Sequence, residues 1–232
     1  MLLLDPRRSG GALWLAWVLA GALGGGLATL LVVEGMNDWL YGGGQLTGLA
    51  SGMVLAAVAA LFQYLVLRFV AAGRRAAVLW LPATVVAYGV YVWLNTIWFG
   101  EGPNLATWLS ANFRSLDPAT TMDVIFTTVQ VEYAVAFGIC QGIVLALMTR
   151  RVASLAIWVG GNLVGLLVSI YLPTTFVSIP AEGGAFLVAS SAIQTGKYAF
   201  GTGLALAVIL RVRPRAAARA GSSPAPGLQS QG

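Results

Sequence analysis

Long uncharged runs recur along the chain, each closed by a charged or turn-forming residue. Between Glu132 and Arg150 lie seventeen uncharged residues, Tyr133 to Thr149. At about 1.5 Å per helical residue they cover roughly 26 Å, most of the ~30 Å of hydrocarbon in a bilayer. Runs of this kind predict six membrane-spanning helices, over about 11–33, 46–67, 76–100, 129–149, 153–172 and 188–210. Together they make one all-α membrane domain over residues 1–211. The first run follows Arg7 and Arg8 but is too long for a signal-peptide core, so it reads as a helix of the mature chain. Pro82 is tolerable near the start of the third helix. Asp117-Pro118 supplies an N-cap and then proline at the first helical position. The fourth helix therefore either begins near Pro118 and projects beyond the bilayer or breaks before Glu132.

Two segments depart from the pattern. Leu105, Trp108, Leu109, Phe113 and Leu116 fall on one helical face. They predict a short amphipathic helix over about 104–116 lying in the membrane interface, with Trp108, Leu109 and Phe113 as a candidate partner surface. Residues 212–232 turn to Arg, Ala, Pro, Ser and Gly and read as a disordered cytoplasmic tail.

Composition agrees with the pattern. The 232 residues are 58% hydrophobic and 9% charged, against about 25% charged in soluble domains. There is no histidine and a single cysteine, Cys140. That removes histidine-ligated haem or zinc, and Ser–His or Cys–His catalysis. It also removes any disulfide within the chain. No nucleic-acid partner is implied, no metal site is expected, and the sequence assigns no cofactor. With six spans, eleven of thirteen basic residues fall on one side and seven of eight acids on the other. The positive-inside rule then places both termini in the cytoplasm, with the chain multi-pass in the inner membrane.

The spans also resemble one another. The second carries Gly48, Gly52 and Gln63-x3-Leu67-Arg68. The fourth carries Gly138, Gln141-x3-Leu145 and Arg150, and the sixth Gly201, Gly203, Leu206 and Arg211. The odd spans pair Trp14 with Gly21 and Gly25, Trp80 with Gly89, and Trp158 with Gly161 and Gly165. A two-helix unit repeated three times is expected. The small-xxx-small spacings let helix backbones approach closely, within the chain or in self-association. The segments AALFQYLVLR (59–68) and FGICQGIVLAL (137–147), with GTGLALAVILR (201–211) in weaker form, resemble a loose group of six-span bacterial membrane proteins. Those proteins repeat a Gly-x3-Gly/Ala-x2-Gln-x3-Leu-Arg helix. The resemblance implies the six-span architecture and brings no activity with it.

Polar groups inside the spans are the candidate sites. An unpaired amide in hydrocarbon is costly, so Gln63 and Gln141 are expected to face the bundle and bond across helices or line a cavity. Thirteen residues lie between Lys197 and Arg211, about 20 Å of helix, so Lys197 sits within the hydrocarbon. Its expected partner is Glu132, at a similar place in the fourth span, as a polar ligand site or an interhelical pair. In the alternative, Lys197 snorkels and Glu132 marks the membrane boundary. Arg211, Arg213, Arg215 and Arg219 are placed to meet anionic headgroups at ~1 kcal/mol each, or simply to fix topology.

Two functions fit. One is a non-catalytic integral membrane subunit or accessory protein, packed against other membrane subunits through its glycine faces and the amphipathic segment. The other is a small-molecule carrier or the substrate-binding component of a transporter, with a polar site near Glu132 and Lys197. In topology alone the second resembles the substrate-capturing subunits of energy-coupling-factor vitamin importers. An intramembrane enzyme is disfavoured, because no acid–base constellation is present.

Overall fold

The structure is a computed structural model, and it describes residues 10–32, 44–69, 76–99, 111–112, 117–172 and 184–211. Those residues are helical, with no strand among them. The six long helices are α1 (Gly10–Leu31), α2 (Gly44–Phe69), α3 (Trp80–Phe99), α4 (Pro118–Thr149), α5 (Ala153–Tyr171) and α6 (Gly184–Arg211). A 3-10 turn, Ala76–Leu79, leads into α3. Trp108, Leu109 and Phe113 of the expected interfacial helix, and Arg213, Arg215 and Arg219 of the tail, lie outside the described residues.

Among the described residues five helices, α1 to α5, are long and apolar enough to cross a membrane, the mark of an integral membrane protein. The outward faces agree. Leu23, Val86, Leu147 and Leu167 are each more than half exposed. They belong to a run of exposed large apolar side chains that extends over all six helices, more than a soluble surface leaves uncovered. α6 is long but more polar than the others, and Ser191, Thr195, Tyr198 and Thr202 turn inward, as described below.

Local chemistry sets the ends of α4. Asp117 caps it, its carboxylate accepting from the Thr120 N–H at 3.0 Å, and Pro118 follows in the first turn. The helix runs unbroken to Thr149, 32 residues, so it begins at Pro118 and does not break before Glu132. At the far end Arg150 adopts the left-handed conformation, φ 56°. Its N–H and that of Arg151 both bond back to the Ala146 carbonyl. This αL cap reverses the chain so tightly that α5 starts at Ala153.

Each helix packs against its neighbours in sequence, and α1 packs on α6, so the six close into a ring. Glycines permit the close approaches. A Cβ on Gly24 would collide with the backbone of Ala59 in α2, and one on Gly25 with the Thr195 side chain in α6. Gly138 and Gly142 face Val159 and Leu155 of α5, while Gly161 and Gly165 face Ala205 and Tyr198 of α6. These small-residue faces are thus occupied by the chain's own helices.

Three tryptophans, one from each odd-numbered helix, meet on the ring's axis. Trp17, Trp80 and Trp158 lie edge to face in a closed triangle, with centroids 5.4, 5.7 and 5.5 Å apart. All three are fully buried, as are Leu67, Leu145 and Leu206 from the even-numbered helices. The residue of α1 that matches Trp80 and Trp158 is therefore Trp17 and not Trp14. Trp14 instead donates to the Phe200 carbonyl at 3.1 Å and packs on the Phe200 ring. The plug lies toward the end of the ring where α2 and α6 finish at Arg68 and Arg211 and α4 turns at Arg150.

Candidate functional site: an axial cavity

Beyond the tryptophan triangle, away from the arginines, the ring encloses a cavity of about 270 Å³ to which all six helices contribute. That is near the lower end of the ~300–1,000 Å³ usual for small-molecule pockets. Helical periodicity builds its walls. On α4, Tyr133, Phe137 and Gln141 recur every four residues and form one inward stripe. On α6 the stripe is Ser191, Thr195, Tyr198 and Thr202, which contributes to that helix being the least apolar. The wall from α1 and α2 is mostly small, with Gly21, Gly25, Ala28, Ala56 and Ala59 beside Thr29, Leu55 and Gln63. Trp158 contributes to the floor.

The aromatic wall is ordered by ring contacts. Tyr133 stacks on Phe137 at 4.1 Å, and Tyr91 and Tyr198 meet Tyr133 edge-on at 5.5 and 5.9 Å. Offset and edge-to-face pairs of this kind contribute about 0.5–1.5 kcal/mol each beyond their burial. Below them runs a polar layer. Gln141 Nε2 donates to Thr84 Oγ1 at 3.0 Å, and that hydroxyl donates to the Trp80 carbonyl at 2.8 Å. The Tyr198 hydroxyl donates to Asn162 Oδ1 at 2.6 Å, and Asn162 Nδ2 donates to the Trp158 carbonyl at 2.8 Å. Trp17 Nε1 donates to Thr202 Oγ1 at 3.0 Å. Asn162 is fully buried, and these bonds satisfy its amide on both sides.

Of the four candidate site residues, the structure brings Gln63 and Gln141 to the cavity and leaves Glu132 and Lys197 out of its lining. Glu132 is 9% exposed, and neither carboxylate oxygen has a hydrogen-bond partner among the described residues, Lys197 included. The cause is helical rotation. Each lies one residue before a tyrosine that faces the axis, Tyr133 or Tyr198, and successive residues turn by about 100°. Glu132 and Lys197 therefore point along the flanks of their helices. Arg211, the last residue of α6, lies against Gly10 at the start of α1.

Several cavity residues were not singled out from the sequence. The four-residue recurrence of Tyr133, Phe137 and Gln141 was the available signal on α4. On the odd helices it was the spacing Trp17-x3-Gly21, Trp80-x3-Thr84 and Trp158-x3-Asn162. Among the described residues, no three of His, Cys, Asp or Glu gather as a metal site.

No family model, curated protein or solved structure matches this chain. What the geometry defines is a class: an all-helical membrane protein built as a closed ring of helices around an axial cavity.

Proposed function

We propose that the chain is a six-span inner-membrane protein that holds a small molecule in its axial cavity, as a carrier or as the substrate-binding component of a transporter. The cavity itself carries this proposal, since all six helices line it and Trp158 of the tryptophan triangle lies in its floor. α6 counts as the sixth span: Ser191, Thr195, Tyr198 and Thr202 face the cavity, and Lys197 snorkels toward the headgroups. The arginine end is then cytoplasmic by the positive-inside rule, with both termini there. The tryptophans and leucines at matching places on alternate helices support a two-helix unit repeated three times. The rival reading, an accessory subunit, rests on the lack of catalytic chemistry, on the amphipathic segment and on the glycine faces. That segment lies almost wholly outside the described residues, and several of the glycine faces are occupied within the chain. The buried Glu132 flanks the ligand site; it is not its centre.

A thermal-shift screen of the purified protein in mild detergent, against a metabolite set, tests the proposal. A ligand at a hundredfold its Kd stabilises the folded state by about 2.7 kcal/mol and raises Tm by several degrees. If no compound shifts Tm and the protein co-purifies with other membrane proteins in fixed stoichiometry, the accessory-subunit reading replaces this one.

A further inference from the structure

The cavity is off-centre in a way the helices explain. Leu67, Leu145 and Leu206 occupy equivalent buried places on α2, α4 and α6. Counting eight residues back from each gives Ala59, Phe137 and Tyr198, all three facing the cavity. Two of the three positions carry a ring and the third carries a methyl group. The odd helices show the same asymmetry. Four residues after each tryptophan of the triangle stand Gly21, Thr84 and Asn162, and eight after stand Gly25, Tyr88 and Leu166. The first helix pair is therefore trimmed at three positions where the other two pairs carry bulk. At Gly21 and Gly25 the room is taken up by Ala199 and Thr195 of α6, while beside Ala59 a slot remains, with Phe137, Tyr133 and Tyr198 also lining it.

The slot's electrostatics restrict what fills it. No charged side chain lines it. An ion placed there would lose its hydration without a counter-charge. The Gln63 amide faces the slot without a hydrogen-bond partner among the described residues. An amide in a membrane interior without a partner is costly, and a ligand oxygen satisfies it. Edge-on and stacked rings on the wall favour a flat, conjugated partner over a flexible chain.

We propose that the cavity binds an uncharged planar ring bearing carbonyl oxygen, seated in the place of the ring that Ala59 lacks, with a carbonyl accepting from the Gln63 amide. This rests on the small-molecule reading above and narrows it to one chemical class. The bound ring completes the set begun by Phe137 and Tyr198 and closes against the glycines of α1.

The test uses the full chain in detergent and three probes of similar outline. These are 2,3-dimethyl-1,4-naphthoquinone, whose blocked ring positions prevent reaction with Cys140, 2,3-dimethylnaphthalene without oxygens, and 2-naphthoate with a charge. The quinone is expected to raise Tm and to bind about tenfold more tightly than the hydrocarbon, the equivalent of one good hydrogen bond. The naphthoate is expected to give no shift. Ala59→Phe fills the slot and is expected to abolish the quinone shift while the ligand-free Tm holds or rises. Gln63→Leu, which leaves the slot open, is expected to bring quinone affinity down to that of the hydrocarbon, and it serves alone if A59F does not fold. Hydrocarbon binding equal to the quinone's, or naphthoate binding, overturns the ligand class; where Ala59→Phe abolishes that binding, the cavity reading survives. Silence from all three probes also overturns the class, and a blank metabolite screen beside it removes the small-molecule reading as well.

Discussion

Single positions show how tightly the ring is drawn. At Gly165 an added Cβ would stand 2.5 Å from the Tyr198 carbonyl oxygen, a backbone atom of α6 that cannot turn aside. At Gly160, one turn away in the same helix, an added Cβ meets nothing within 4 Å. Gly165→Ala must separate α5 from α6 and is expected to cost about 1–3 kcal/mol, as overpacking does. Gly160→Ala is expected to be neutral or to stabilise by up to ~1 kcal/mol through helix propensity. Reversible unfolding of both variants in mixed micelles measures the pair, and equal effects would show that α5 and α6 do not pack as described. Both glycines look alike in the sequence, because spacing reports that a face is small but not which glycine touches a neighbour. Gln63 and Gln141 were legible, since burying an amide in hydrocarbon demands a reason. Trp17 was not, because Trp14 lies three residues away and only the meeting of three rings selects between them.

At the scale of elements, α4 and α6 supply Tyr133, Phe137 and Tyr198 to the site, and the two helices were unequally legible in the sequence. The Asp117-Pro118 start of α4 was plain in the sequence, because cap and proline are local signals. Whether the helix continued through Glu132 was not, since nothing local stops or favours it there. The cap has a consequence for pH. Hydrogen bonds from the Thr120 side chain and backbone hold the exposed Asp117 carboxyl below its usual range. A folded-state value below the unfolded one means that the cap's contribution is complete above the unfolded value of about 3.9. It is lost as pH falls through the lower, folded-state value. Amide exchange at Thr120 and Thr121, corrected for its intrinsic pH dependence, is expected to stay slow at pH 5 and to quicken at lower pH. An Asp117→Asn variant is expected to show no such step. A wild-type profile without the step would remove the cap's role. α6, expected as a span over about 188–210, is the least apolar of the long helices, because Gln194 and Lys197 lower its hydropathy together with Ser191, Thr195 and Thr202 of its cavity face.

At the scale of the molecule, six helices in sequence order close into a ring, and a ring has an axis that must be filled or left open. Tryptophans and leucines fill it at the arginine end, and trimmed residues of the first helix pair leave it open beyond them. The helix count and the grouping of arginines at one end follow from hydropathy and charge. The cavity does not, because it depends on which faces meet, and only packing decides that. Cysteine accessibility in sealed vesicles is the most direct measurement. On a Cys140→Ser background, cysteines replace Ala56 and Thr195 in the cavity wall, and Leu67 and Leu206 in the plug. A small membrane-impermeant methanethiosulfonate is expected to modify the first two from the face opposite the arginines, and neither of the last two from either face. Modification of the plug cysteines from the arginine side, or silence at Ala56→Cys and Thr195→Cys, would contradict a cavity sealed at one end by the tryptophan triangle.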